Sequence, residues 1–449
     1  MRLRSAVVLL AAVSAAAVLL LLVLFLPRML AARAGAAADA HLAAARRAQY
    51  PGATNARRPD LAKAVEEYRQ AIELAPNRIE GHEGLSFAML QLKVTAATSQ
   101  ARTDVDFTAA VVAGRASARE ALRTFYADLE KRYPRVATVQ WAIGRLSPDN
   151  PRPAEARYRS AIALDTSFAR GYYEMATLAG TLEDRAKARE YYRKAAQADP
   201  TSAEYAERAA ASIDAADRVA FERAMNDLLR RFPKSNQAAF ILMEAARRAS
   251  SPEERVRILE REHREYPDAG RSLQLFHAYL PVDPDKAASL AHTVMAAPSK
   301  GGWARQMWAP YAVCADALVD ARRLIAARRF TDARALLDRT TPRWPCGAVP
   351  LHLARAQAAR LSGDSSGAID GLIDLVVVQR TAAIETALFD YAAAAGRTRE
   401  AVEREIWRRR TARAQPMEDF ALARLDTRTA VRLADLRGRV VLVDFWSPG

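Results

Sequence analysis

One stretch of 34 residues limits what this chain can become: Ala169 to Ser202, ARGYYEMATLAGTLEDRAKAREYYRKAAQADPTS. It reads as two short amphipathic helices in a hairpin. Tyr172, Met175, Ala176 and Ala179 share one stripe of the first helix. Ala188, Tyr192 and Ala195 share one stripe of the second, and Pro200 stops it. Apolar residues at i, i+3, i+4 and i+7 turn one face of each helix toward a neighbour. A lone hairpin cannot bury such faces, so copies are expected on both sides. Ala64, Tyr68, Ala71 and Pro76 repeat the second-helix spacing. Ala154, Tyr158 and Ala161 repeat it with Thr166 at the terminator, and Ala333, Leu337, Thr340 and Pro345 repeat it with one polar change. Thr166, Pro200, Pro233 and Pro267 stand 34, 33 and 34 residues apart.

This period and residue pattern resemble the tetratricopeptide repeat (TPR) family over roughly residues 36–405. The resemblance implies an all-α solenoid of helical hairpins that holds proteins or peptides in its concave face. Tyr68, Ala71, Tyr158, Ala161, Tyr172, Ala188, Tyr192 and Ala195 are its expected packing residues. The 18 glycines and 21 prolines among 449 residues agree with a helical chain whose prolines sit mostly at helix ends.

The amino terminus predicts a membrane segment. Ala6 to Leu26 is apolar except for Ser14, and such a helix spans about 31 Å, enough for a bilayer core. Secretory signals have shorter apolar regions. The reading is therefore a retained single-pass anchor within 1–35, with the body in the bacterial periplasm and a cleaved signal as the alternative. Arg2 and Arg4 favour an inside amino terminus, against Arg28 and Arg33 on the other flank.

Along 36–412 the expected elements are helices over Ala36–Tyr50 and Asp60–Ala75, then an extended helix plus loop over Val94–Gly114. A helix over Ala118–Tyr133 and a proline-rich turn, Ser147–Pro153, follow. Residues 270–305 read as an irregular pair broken at Leu280–Pro284 and Pro298–Gly302, with Trp303 and Trp308 as candidates for a binding surface or for core. The last hairpins are Ala309–Arg328 with Thr331–Arg339, Leu351–Leu361 with Ala368–Gln379, and Ala383–Ala395 with Thr398–Thr411. Arg404, Arg408, Arg409, Arg410 and Arg413 give the last helix a basic face, read as a solvated terminal cap.

The formal net charge is +15. The positive charge is mostly dispersed arginine, without base-stacking aromatics or a groove-reading helix, so the chain does not read as a nucleic-acid binder. Cys314 and Cys346 form no CxxC. A disulfide in an oxidising compartment and a buried free thiol are both open, the thiol being favoured. His41, His82, His263, His277, His292 and His352 are scattered, without ligand spacing. No metal site, cofactor motif or catalytic constellation is present.

From about Ala414 the helical period ends. Thr429 to Leu433 alternates, Ala434–Gly438 reads as a turn, and Arg439 to Phe445 is Val-rich, like a buried strand paired with 429–433. Asp419, Phe420 and Leu422, then Asp426, Val431 and Leu433, then Leu436, Gly438, Arg439 and Val441, and finally Phe445 and Trp446 follow motifs of TlpA/ResA-like thioredoxin-fold proteins (redoxins). Residues 413–449 thus resemble the start of such a domain, with Glu418 where that family has proline. The resemblance implies a CxxC shortly after Phe-Trp, and the sequence reaches Gly449 without one. The readings are a TPR interaction scaffold or, alternatively, a thiol–disulfide oxidoreductase whose TPR region binds the partner.

Overall fold

The computed structural model describes residues 30–50, 59–99, 101–147, 151–268, 270–298, 302–340, 349–415, 418–423, 430–439 and 441. The apolar run 6–26, Cys346, Phe445 and Trp446 lie outside them. Among the described residues, no helix is long and apolar enough to cross a membrane. Among the described residues the architecture is all-α but for one small hairpin, and the chain divides into two compact units, Met1–Ala224 and Met225–Gly449.

Unit 1 stacks antiparallel helices in sequence order. They are α1 (30–49), α2 (Leu61–Leu74), α3 (Ile79–Thr98), α4 (Asp104–Arg132), α5 (Ala137–Gly144), α6 (Pro151–Leu164), α7 (Ala169–Thr181), α8 (Arg185–Ala198) and α9 (Ala203–Ala211), with the division inside α10 (Arg218–Arg231). The repeat residues do what their spacing predicts. Ala64, Ala71, Ala161 and Ala195 are buried, and Tyr68 and Tyr158 are buried beside them. A Cβ on Gly84 would collide with the Tyr68 ring, so only glycine lets α3 approach there. Asp60, Asp184 and Ser202 cap α2, α8 and α9 by accepting from backbone N–H groups of the first turn. The extended helix plus loop expected over Val94–Gly114 is instead two long helices, α3 ending at Thr98 and α4 starting at Asp104.

Unit 2 continues with α11 (Asn236–Arg247), α12 (Pro252–Glu265), α13 (Ser272–Val282), α14 (Pro284–Ala296), α15 (Trp303–Ala326), α16 (Phe330–Arg339), α17 (Val349–Leu361), α18 (Ser365–Val378), α19 (Ala382–Ala394) and α20 (Arg399–Arg413). Phe276, Trp308, Leu318 and Ala321 anchor one core, and Ile369, Leu372, Ile384 and Val402 a second. The break expected over 280–284 is instead a one-residue joint. Pro281 occupies the last turn of α13, Pro284 the first turn of α14, and Asp283 caps Lys286. Helix α15 starts at Trp303 rather than at Ala309 and carries Pro310 inside it.

One turn recurs in both units. Glu183, Arg328, Gly363 and Gly396 all have left-handed backbones, with φ of 61°, 59°, 92° and 74°. The next amide in each case bonds back to a carbonyl five residues earlier: Asp184 to Ala179, Arg329 to Leu324, Asp364 to Ala359 and Arg397 to Ala392, at 2.8–2.9 Å. This is the Schellman closure of a helix end. Its recurrence shows one hairpin geometry built from different sequences.

After α20, β1 (Ala421–Ala423) pairs antiparallel with β2 (Ala430–Arg432), and a 3-10 turn, Leu433–Leu436, follows. Of the strand expected over 429–433, residues 430–432 are extended and Leu433 opens the turn. The strand pairs with 421–423, and the Asp419 carboxylate accepts from the Ala434 amide at 2.9 Å and from Arg432 at 3.2 Å. The pairing expected with Val440, Leu442 and Phe445 lies outside the described residues.

Candidate functional site

The first helices of the hairpins in unit 1 carry a row of charged and aromatic side chains between their packing stripes. Arg170 of α7 is its hub. Its guanidinium reaches Glu83 of α3 at 2.9 Å, Glu174 on its own helix at 3.4 Å and Glu204 of α9 at 3.8 Å. The contact with Glu83 passes over α5. A reach between first helices two places apart fits the inner, concave side of a curved stack.

Trp141 of α5 forms the floor. Its ring is fully buried, and its Nε1–H donates to Glu174 Oε1 at 3.3 Å. Arg145 lies over the ring at 5.2 Å and Arg170 at 5.9 Å. Arg170 also covers Tyr173 at 4.9 Å. Tyr173 in turn meets Tyr192 at 5.7 Å and Tyr205 at 5.6 Å. Burial works against the charge on Arg170, yet Glu174, Glu83 and Glu204 more than offset it, so its pKa stays above the ordinary arginine value. Burial also raises the Tyr173 and Tyr205 phenols. The row is thus charged, pre-ordered and close to neutral overall, which suits a polypeptide with mixed side chains better than a polyanion.

The sequence-predicted packing residues fall into two sets. Tyr68, Ala71, Tyr158, Ala161, Ala188 and Ala195 are buried; Tyr172 and Tyr192 are only half-buried and edge this row. Phe420 and Leu433 are half-buried near the hairpin, and Gly438 is exposed with φ 82°. Trp308 belongs to the core against Phe276 at 5.8 Å, whereas Trp303 is exposed. Sequence reasoning missed Glu83, Trp141, Arg145, Arg170 and Tyr173. The usable signal was Arg170, Tyr173 and Thr177, which lie between the packing positions of the 169–181 helix.

The basic face of α20 is largely neutralised by acids of its own unit. Arg409 meets Asp370 at 2.7 Å and Asp374 at 3.2 Å, Arg413 meets Asp374 at 3.1 Å, and Arg408 meets Glu405 at 2.6 Å. Cys314, on α15, is disulfide-bonded, where the sequence reading favoured a free thiol. The sequence has one other cysteine, Cys346. Among the described residues, no group of three His, Cys, Asp or Glu could hold a metal.

Residues 169–202 match the tetratricopeptide repeat family model. No curated protein matches the chain. Solved structures similar to it include pilF of Pseudomonas aeruginosa, at 16% identity over 54% of this chain and 97% of that one, with a TM-score of 0.34. Yeast Tom70 follows at 13% identity over 82% and 67%, with a TM-score of 0.33. The Cut9–Hcn1 hetero-tetramer of the APC/C is similar at 11% identity over 74% and 52%, with a TM-score of 0.37. The described chain is an all-α, TPR-like helical repeat protein, with the repeat family matched by sequence at residues 169–202.

Proposed function

We propose that this protein is an interaction scaffold whose concave row in unit 1 grips an extended segment of a partner protein. The observation that carries this reading is the Arg170 hub. It orders side chains from α3, α5, α7 and α9 into one inner surface while leaving Tyr173 and Tyr192 half-exposed. Arginine and tyrosine in such a setting are the residue types that carry binding energy in protein interfaces.

The scaffold is further read as held at the bacterial inner membrane by residues 6–26, with its body in the periplasm. Support comes from the length of that apolar run and from the disulfide at Cys314, which fits an oxidising compartment. Residues 413–449 are read as the start of a redoxin-like domain. The register places two motif residues, Leu422 and Val431, opposite each other, and the motif residue Asp419 pins the following turn. This hairpin also supports the second reading, a thiol–disulfide oxidoreductase that uses the solenoid to select its partner.

The test is co-purification from carbonate-washed membranes after cross-linking in cells. The full chain is expected to stay in the membrane fraction with its partner. Arg145→Glu with Arg208→Glu, the latter on α9 where its charge acts on the Tyr173 phenol, should lower partner recovery by about tenfold or more, as expected for loss of hot-spot contacts. Undiminished recovery with the double variant would remove the concave row from the account.

A further inference from the structure

A second concavity lies at the amino-terminal end of unit 1. Arg46, Arg47 and Tyr50 at the end of α1 and Phe87 of α3 wall an open groove of about 450 Å³ over Tyr68 and Gly84. The floor is polar and already satisfied. Tyr68 Oη donates to Gln49 Oε1 at 3.0 Å, and Gln49 Nε2 donates to Gln91 Oε1 at 2.7 Å, with Gln49 itself buried. Because Gly84 has no side chain, the cleft stays open above the Tyr68 ring.

The walls are not satisfied. Arg46 and Arg47 are exposed and make no ion pair with any described residue. Elsewhere in the unit, Arg78, Arg132, Arg157, Arg170 and Arg189 each hold a carboxylate. Arg46 is close enough to Tyr68 for its charge to pull against the rise that burial causes in the phenol pKa. Two large rings stand beside these charges, Tyr50 at 58% and Phe87 at 48% exposure. Uncovered rings and uncompensated guanidiniums around one cleft match a ligand with an apolar group next to an anion.

The site also limits how dense that anion can be. Arg46 to Tyr50 close the carboxyl end of α1, where the helix dipole is negative and opposes concentrated negative charge. A phosphate would meet that field and leave both rings bare. A single carboxylate can sit in the guanidinium fork, with its apolar neighbour against the rings.

Building on the scaffold reading, we propose that this groove docks a segment of a partner protein in which a Glu or Asp side chain adjoins a large apolar one. Arg46 and Arg47 take the carboxylate, and Tyr50 and Phe87 clasp the apolar group above Gly84. Recognition of this kind weakens as salt rises.

The probe is a fluorescein-labelled dodecapeptide of Gly and Ser with Glu-Phe-Glu at its centre. Its binding to the full chain in detergent micelles is followed by anisotropy. The parent is expected to bind it, and to bind the Gln-Phe-Gln and Glu-Ala-Glu versions about tenfold more weakly. Arg46→Ala with Arg47→Ala, and separately Phe87→Ala, should each cost a similar factor, with circular dichroism unchanged because all three side chains are exposed. Trp303→Ala, far along the sequence in unit 2, should bind like the parent. Equal affinity for Gln-Phe-Gln, unchanged affinity in the Arg46/Arg47 double variant, or tighter binding of a twelve-residue oligothymidylate would each overturn the proposal. Failure of the parent to bind the peptide would overturn the groove assignment alone, because the scaffold reading is judged separately by partner recovery with Arg145→Glu and Arg208→Glu.

Discussion

Replacing Trp141 with alanine is expected to destabilise unit 1 by about 3–5 kcal/mol, the usual cost of emptying a large aromatic site in a core. Trp141 is fully buried between repeats, with its ring edge-on to Phe168 at 6.3 Å and to His82 at 6.4 Å. Each repeat is held mainly by its neighbours, so the loss should spread to α3 and α7 rather than stay local. Urea melts followed by circular dichroism measure it. A midpoint unchanged from the parent would show that the ring is not a shared keystone of the stack. The substitution also removes the floor under Arg145 and Arg170, so partner recovery should fall with stability.

Acid should weaken the same unit through His82. This ring is fully buried. Its Nε2–H donates to the Pro76 carbonyl at 2.8 Å, leaving Nδ1 to accept from the Tyr126 hydroxyl at 3.0 Å. Burial lowers its pKa from 6.5 to about 4, and the bond to Pro76 offsets this only in part. The unfolded chain therefore binds the proton first. The stability from keeping His82 neutral is complete above pH 6.5 and is lost progressively as pH falls from 6.5 to 4. The loss across that window is about 3 kcal/mol. Denaturation midpoints at pH 7, 5.5 and 4.5 measure the slope, and His82→Gln should flatten this part of it. An equally steep slope in His82→Gln would assign the acid sensitivity elsewhere.

Much of the fold was legible because its period is local. Ala71, Ala161 and Ala195 could be placed in the seam from spacing alone, and the structure buries them. Depth was less legible than direction. Tyr192 shares the stripe of Ala188, yet its hydroxyl lies 3.4 Å from that of Thr177 at the open edge of the hairpin, so it is only half-buried. A helical period says which way a residue points, not how much is stacked on top of it. Proline signals were overridden by packing. Pro281 falls in a final turn, and Pro310 is carried within α15 by the burial of Trp308, Tyr311 and Ala312 around it.

The concave row could not be read from any one window. Glu83, Trp141, Arg170 and Glu204 are spread over more than a hundred positions, and only the curvature of the stack brings them together. The neutralisation of α20 was closer to readable. Asp370 and Asp374 are spaced like Arg409 and Arg413, and such i,i+4 ladders pair when two helices lie side by side. The carboxyl-terminal motif placed β2, but its pairing with β1 was harder to read, because the role of Asp419 as a clamp on Ala434 is a contact between residues fifteen positions apart.

The central claim is that the concave row of unit 1 is where a partner lies. The most direct test replaces Tyr173 with the photo-cross-linker p-benzoylphenylalanine in the native host, alongside the same replacement at Arg193, an exposed position on the second helix of the same hairpin. The account predicts a discrete protein adduct after irradiation at position 173 and none at 193. Adducts of equal yield at both positions, or at 193 alone, would contradict it.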